Sequence, residues 1–129
     1  ALAPMSCGMA KGDHVPEEGT RRVSIMQVIG DQDKSFHGSS NEKVTMYSAD
    51  ERINFWRIFN QCDARPTVNQ PFEKITVRTF SNTNSIEVAL VTVAGEGHHI
   101  QRDLRDKTDS IALNFLMKHR RHTTHSLAK

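Results

Sequence analysis

The sequence predicts an α/β fold in the order strand, helix, β-hairpin, helix. Two apolar runs, VSIMQVIG in residues 23–38 and SIEVALVTVAG in residues 85–100, carry this prediction. Both are rich in β-branched residues, and the first is apolar on both faces, which is typical of a parallel strand covered by helices. The stretch between the two runs contains a helical pattern followed by an alternating one.

The N-terminal segment 1–10, ALAPMSCGMA, is short, apolar and rich in small residues. We interpret it as the end of a buried strand. A parallel strand needs a parallel neighbour, and this segment is the candidate neighbour of the first apolar run. Residues 11–22 are polar and contain glycine and proline, which indicates a surface loop.

A helix is predicted to begin at Ser48 and to end near residues 60–62, before Pro66. Ser48 with Glu51 three residues later is the pattern of a capping box. Apolar residues then recur three or four positions apart, at Ala49, Ile53, Trp56 and Phe59. This spacing predicts a helix with one buried face.

The alternating residues 73–80, EKITVRTF, predict a half-exposed strand, and residues 81–85 have the composition of a turn. We expect this strand to pair antiparallel with the second apolar run. A last helix is predicted over residues 107–122, and residues 123–129 are interpreted as a frayed tail. Residues 1–129 are thus expected to form a single, partial α/β domain.

Composition excludes several classes of function. The chain has 129 residues, 25% charged, with a net charge of +2, which is too small to indicate a nucleic-acid-binding protein. No apolar run approaches 18 residues, so no membrane span is predicted, and the N-terminus lacks the pattern of a signal peptide. Cys7 and Cys62 permit one disulfide at most. We predict no cofactor and no metal site.

The residues that follow the two apolar runs are candidates for chemistry. Asp31 and Asp33 follow the first run, and His98 and His99 follow the second. Loops at the carboxyl ends of strands are where α/β proteins carry their active groups. An acid followed later in the chain by a histidine is the order of the last two members of a Ser-Asp-His triad. The same residues are also compatible with two ordinary polar loops.

Nearly the whole chain, from Ala1 to about His122, resembles the C-terminal half of the α/β-hydrolases of the esterase and polyhydroxybutyrate depolymerase family, with feruloyl and acetylxylan esterases beside it. The similarity is carried by three landmarks in the same order as in the family. They are Ile29-Gly30-Asp31-Gln32-Asp33 with Phe36-His37-Gly38, then Trp56 with Asn60-Gln61-Cys62, then Gly95-Glu96-Gly97-His98.

This resemblance implies that Asp33, not Asp31, is the triad acid and that His98, not His99, is the base. It also implies a serine ester hydrolase, acting on a small ester or a polyester, from a secreted or periplasmic setting. Ile29 replaces the usual histidine of the family's acid loop, and His99-Ile100 replaces its small-Trp-Pro continuation.

The serine nucleophile and the oxyanion hole are expected upstream of Ala1, so the chain alone is predicted to be inactive. Ser6, in Pro4-Met5-Ser6-Cys7-Gly8, imitates a Gly-x-Ser-x-Gly elbow. We reject it because proline is poor at the first elbow position and because only a loop separates Ser6 from the acid strand.

Two alternative functions stay open: a non-catalytic binding or interaction module of α/β-hydrolase shape, and an inactive truncated product. The inner edge of the acid strand is expected to be unpaired, since half of the sheet is missing. We therefore expect a homo-oligomer or association with an N-terminal half.

Overall fold

The structure, a computed structural model, describes residues 1–12 and 15–120. Its strands and helices, in chain order, are β1 (Ile25–Gly30), β2 (Ser39–Ser40), β3 (Thr45–Met46), α1 (Ala49–Phe59), β4 (Thr67–Phe72), β5 (Ile75–Ser81), β6 (Glu87–Val93) and α2 (Arg102–Lys118). The predicted α/β class is confirmed in these residues, which form a mixed four-stranded sheet and two helices.

The strand order of the sheet brings the two candidate loops together. The order is β1-β6-β5-β4, with β1 parallel to β6 and the other neighbours antiparallel. The register pairs Ile25 with Val88 and Gly30 with Val93, so β1 and β6 end side by side. The loop after β1 and the loop after β6 therefore leave the same edge of the sheet.

The two helices cover opposite faces of the sheet, as the apolar strands predict. Met26 and Val28 of β1 pack in one cluster with Ala112 and Phe115 of α2. Ile29 lies in a second cluster, with residues of α1 and β6. All six residues of β1 are buried. This three-layer packing holds β1 rigidly beneath the loop that follows it.

The N-terminal segment is the parallel neighbour of β1. Leu2 bridges to Ile25 and Met5 bridges to Val28, and the Met26 amide donates to the Leu2 carbonyl at 2.9 Å. The expectation of an unpaired inner edge on β1 is therefore wrong. The expectation that residues 1–10 are the end of a buried strand is also wrong as regards burial, because Leu2 is 56% exposed and Met5 38% exposed.

Helix boundaries were predicted with different accuracy. α1 begins and ends where the capping box and Pro66 indicate, and Ser48 makes the full box with Glu51. α2 begins five residues before the predicted start at residue 107. Its first turn is highly charged, and the Gln101 amide is capped by the Glu96 carboxylate at 2.8 Å, a contact from outside the helix.

Three strands were not predicted: the two-residue β2 and β3, and β4. β5 and β6 form the expected antiparallel hairpin. β4 was not anticipated, because its sequence TVNQPF contains proline and polar residues, and all six of its residues are exposed. The predicted frayed tail, residues 123–129, lies outside the described residues.

Candidate functional site

The candidate site is the hydrogen-bonded pair of Asp33 and His98 above the ends of β1 and β6. His98 Nδ1 lies 3.0 Å from Asp33 Oδ2. The Asp33 side chain is 3% exposed, whereas that of His98 is 64% exposed. The structure thus brings together the two residues that the sequence singles out, with the acid buried and the imidazole at the surface.

A tight turn after β1 holds Asp33. The Asp33 amide donates to the Gly30 carbonyl at 3.1 Å, and the Phe36 amide donates to the Asp33 carbonyl at 2.9 Å. Phe36 then packs on the apolar cluster under α1. Both the backbone of the acid and its immediate neighbours are therefore fixed to the sheet.

Ser35 keeps the buried carboxylate ionised. Its amide and its hydroxyl each donate to Asp33 Oδ1 at 2.8 Å. Burial by itself raises the pKa of Asp33, but the Ser35 amide, the Ser35 hydroxyl and His98 together outweigh burial and lower that pKa below its usual value. A charged carboxylate so held can orient the imidazole through Nδ1 and leave Nε2 for chemistry.

The two loops are joined directly. The Gln32 amide donates to the Glu96 carbonyl at 2.9 Å, and the Gly95 amide donates to Asp31 Oδ1 at 2.8 Å. Asp31 therefore connects the loops and makes no hydrogen bond to an imidazole among the described residues. Asp31 thus bonds to the backbone of the other loop, and Asp33 is the acid that bonds to His98.

His99 lies beside His98 and outside the pair. The two rings meet edge to face with centroids 5.3 Å apart, and His99 is exposed. The next residue, Ile100, is buried in the cluster under α2 and anchors the end of the loop. The anchoring of Ile100 explains why His98, rather than His99, is turned toward the acid.

Ser6 lies near the pair. It has a positive φ of 47°, which is uncommon for a residue other than glycine, and its amide donates to the Val28 carbonyl at 2.8 Å. Ser6 and His98 line a common cavity of about 410 Å³ with Asp33. Within residues 1–12 and 15–120, however, no hydrogen bond joins the Ser6 hydroxyl to His98.

Sequence reasoning missed the residues that support the pair. Glu96 acts only through contacts that the fold creates, and no local pattern marks it. Ser35 bonds to Asp33, two residues before it, which is the local pattern of an Asx turn. Arg52 is 3% exposed inside α1 and donates from Nη1 to the Ser35 carbonyl at 3.1 Å. The feature of the sequence that could have indicated the role of Arg52 is its position on the apolar face of the predicted helix.

His119, which lies within the predicted helix 107–122, has a largely buried side chain. Its side chain is 9% exposed and Nε2 lies 2.8 Å from Glu87 Oε2, while Nδ1 lies 3.2 Å from the Ser24 hydroxyl. These contacts join the end of α2 to the start of β6. His122 and His125 lie outside the described residues.

Cys7 and Cys62 are both free thiols, the first exposed and the second buried. Burial raises the pKa of Cys62. Among the described side chains, no group of three histidine, cysteine or acidic residues is arranged to hold a metal ion. Neither helix of the described ranges is long and apolar enough to cross a membrane.

Comparison of the chain with protein families, with curated proteins and with solved structures found no match. The resemblance to α/β-hydrolases therefore rests on the sequence landmarks alone. Because one fold supports many activities, function has to be argued from the site.

Proposed function

We propose that Asp33 and His98 are the acid and the base of a serine-dependent carboxylic-ester hydrolase, in a sheet of α/β-hydrolase type. The observation that carries the proposal is the 3.0 Å contact between a buried carboxylate and an exposed imidazole at the ends of two parallel strands. An acid, a base and their chain order fit the last two members of a triad.

The chemistry assigned to each group follows from its environment. Asp33, held by Ser35, accepts from Nδ1 of His98 and stabilises the imidazolium when it forms. Nε2 of His98 takes the proton of a serine hydroxyl as that oxygen attacks the ester carbonyl. The same nitrogen then returns the proton to the leaving alcohol, which balances the step.

We propose that the nucleophile is a serine outside this sequence. Three observations support this. Ser6 makes no hydrogen bond to His98 within the described ranges. Residues 1–6 run directly beside β1, the strand that leads to Asp33. In addition, no helix follows Ser6 before β1 in residues 1–12 and 15–24, whereas a nucleophile elbow leads into a helix.

Substitutions in the full-length gene product test the proposal. His98→Ala is expected to lower ester hydrolysis by roughly 10⁴-fold or more, and Asp33→Asn by about 10⁴-fold, because the amide favours the wrong imidazole tautomer. The matched controls His99→Ala and Asp31→Asn should retain most of the rate. A larger loss from either control than from its neighbour would contradict the assignment.

Serine-directed labelling of this chain tests the nucleophile separately. A fluorophosphonate is expected to leave the 129-residue chain unmodified, because the oxyanion hole and the nucleophile are proposed to lie elsewhere. Stoichiometric labelling that disappears in Ser6→Ala would overturn the rejection of Ser6. It would also make the chain a complete serine hydrolase.

A non-catalytic binding module of the same shape is the alternative. It is favoured by the absence, within the described residues, of a hydroxyl bonded to His98. The two functions differ in one measurement. If the full-length product binds an ester without hydrolysing it, and His98→Ala leaves the binding unchanged, the module is the better description.

A further inference from the structure

A second cavity, away from His98, lies between α1 and the N-terminal segment. It has a volume of about 230 Å³ and its wall includes Pro4, Met9, Ile25 and Trp56. The exposed Cys7 lies on the same wall. We call this the Trp56 cavity. Its lining is largely apolar, and no acidic residue contributes to it.

Gln27 and Arg52 are the polar side chains in this apolar lining, and Arg52 is a buried cation that makes no salt bridge among the described residues. Arg52 Nε donates to Gln27 Oε1 at 3.2 Å, and Nη1 donates to the Tyr47 carbonyl at 2.7 Å as well as to Ser35. The remaining nitrogen, Nη2, is buried and has no partner among the described residues. A buried charge of this kind is costly unless an anion pairs with it.

We propose that the Trp56 cavity binds a small monocarboxylate with an apolar body. The carboxylate would pair with the guanidinium of Arg52, for which planar oxyanions have the matching geometry. The apolar body would lie against Trp56 and Ile25. This inference does not depend on the proposed ester hydrolysis, since neither Asp33 nor His98 lines the cavity.

The size of the cavity limits the ligand. A dry cavity of ~150 Å³ accepts benzene, whereas drug-sized ligands need about 300 Å³ or more. The Trp56 cavity lies between these values. A single six-membered ring with one carboxylate is therefore the class that fits.

The chain offers a direct readout, because Trp56 is its one tryptophan. Titration with cyclohexanecarboxylate at pH 7 is expected to change the Trp56 fluorescence in a saturable way. Cyclohexanecarboxamide has the same shape without the charge, and it should bind at least tenfold more weakly. Equal responses to acid and amide would overturn the pairing with Arg52, and no response to either would overturn the site.

A second experiment substitutes Arg52. Arg52→Met should abolish the preference for the acid over the amide. Arg57→Met is the matched control, because Arg57 lies on the same helix but bonds to Asn54 and does not line the cavity. Persistence of the acid preference in Arg52→Met would overturn the proposal.

Alkylation of Cys7 gives a measurement on the unaltered chain, which is needed if Arg52→Met does not fold. In the unaltered chain, cyclohexanecarboxylate should slow alkylation of Cys7 by iodoacetamide several-fold, whereas the amide should not. Because Cys62 is buried, alkylation is expected at Cys7, and mass spectrometry identifies the modified residue. An alkylation rate that the acid leaves unchanged at concentrations that saturate the fluorescence would contradict binding in the Trp56 cavity.

Discussion

Asp33 illustrates how a single side chain can be buried and still remain charged. Burial opposes ionisation, but three donors converge on the carboxylate: the Ser35 amide, the Ser35 hydroxyl and His98. Hydrogen bonds to a charged acceptor contribute more than neutral ones, about 1.5–3 kcal/mol each. Ser35 is thus as important for the state of the pair as His98 itself.

Removal of the Ser35 hydroxyl should reveal this contribution through its pH dependence. Ser35→Ala is expected to lower the free energy of unfolding at pH 7 by about 1.5–3 kcal/mol. The folded pKa of Asp33 lies below its ordinary value of 3.8, so the stabilisation is complete above that value and is lost as the pH falls through the folded pKa. The difference between the two proteins should therefore shrink toward pH 2.

Urea denaturation at pH 7, 5, 3 and 2 measures this difference. Ser39→Ala is the control, because Ser39 is exposed, lines the same cavity as Asp33, and makes no side-chain hydrogen bond among the described residues. A loss of stability in Ser35→Ala that stays constant across this pH range would show that Ser35 acts by packing alone.

At the scale of elements, the site depends on how closely the loop after β6 approaches the end of β1. Gly30 is the last residue of β1, and a Cβ there would overlap the carbonyl group of Glu96 and lie 2.7 Å from the Gly97 oxygen. Backbone cannot move aside as a flexible side chain can. A glycine at the end of β1 is therefore what allows Asp33 and His98 to come within bonding distance.

Gly30→Ala is accordingly expected to be severe. Overpacking against backbone should cost about 3 kcal/mol or more of unfolding free energy and separate the two loops. Gly97→Ala is the matched control, since a Cβ at that position meets nothing within 4 Å and its φ is not in the left-handed region. Urea denaturation measures stability, and the NMR signals of the His98 ring report on its contact with Asp33. Equal stability of the two variants would contradict the close approach.

Elements with strong local signals were predicted well, and contacts between distant segments were not. The Ser48 capping box and the β5–β6 hairpin are encoded within a few residues, so their positions followed from the sequence. The start of α2 depends on Glu96, and β4 depends on pairing with β5 rather than on its own composition. Tertiary contacts overrode local propensity in both cases.

The same distinction applies to the candidate site. The chain order of Asp33 and His98 indicated an acid and a base, because strand ends can be located from apolar runs. Which of the neighbouring acids meets the imidazole depends on the parallel register of β1 and β6. Ser35 bonds locally to Asp33, two residues before it, whereas the contact of Arg52 with the Ser35 carbonyl depends on packing of the loop against α1, which no local pattern specifies.

At the scale of the whole molecule, the sheet ends in two very different edges. β4 forms one edge, with Pro71 and an irregular register between Asn69 and Phe72, both of which oppose pairing with another strand. Residues 1–6 form the other edge beside β1, with Leu2 and Met5 exposed. The second edge is apolar, and the strand it extends is rigidly packed.

We therefore predict that this chain associates through the edge formed by residues 1–6 and sediments as a dimer or larger at micromolar concentration. The double variant Leu2→Lys with Met5→Lys should sediment as a monomer, because charges on an edge strand oppose pairing with a second chain. Val68→Lys, on the exposed β4, is the control and should leave the assembly intact. If the unaltered chain and both variants were all monomers that unfold cooperatively, residues 1–6 would complete this side of the sheet without a second chain. If only Val68→Lys dissociated the assembly, the interface would be assigned to β4 instead.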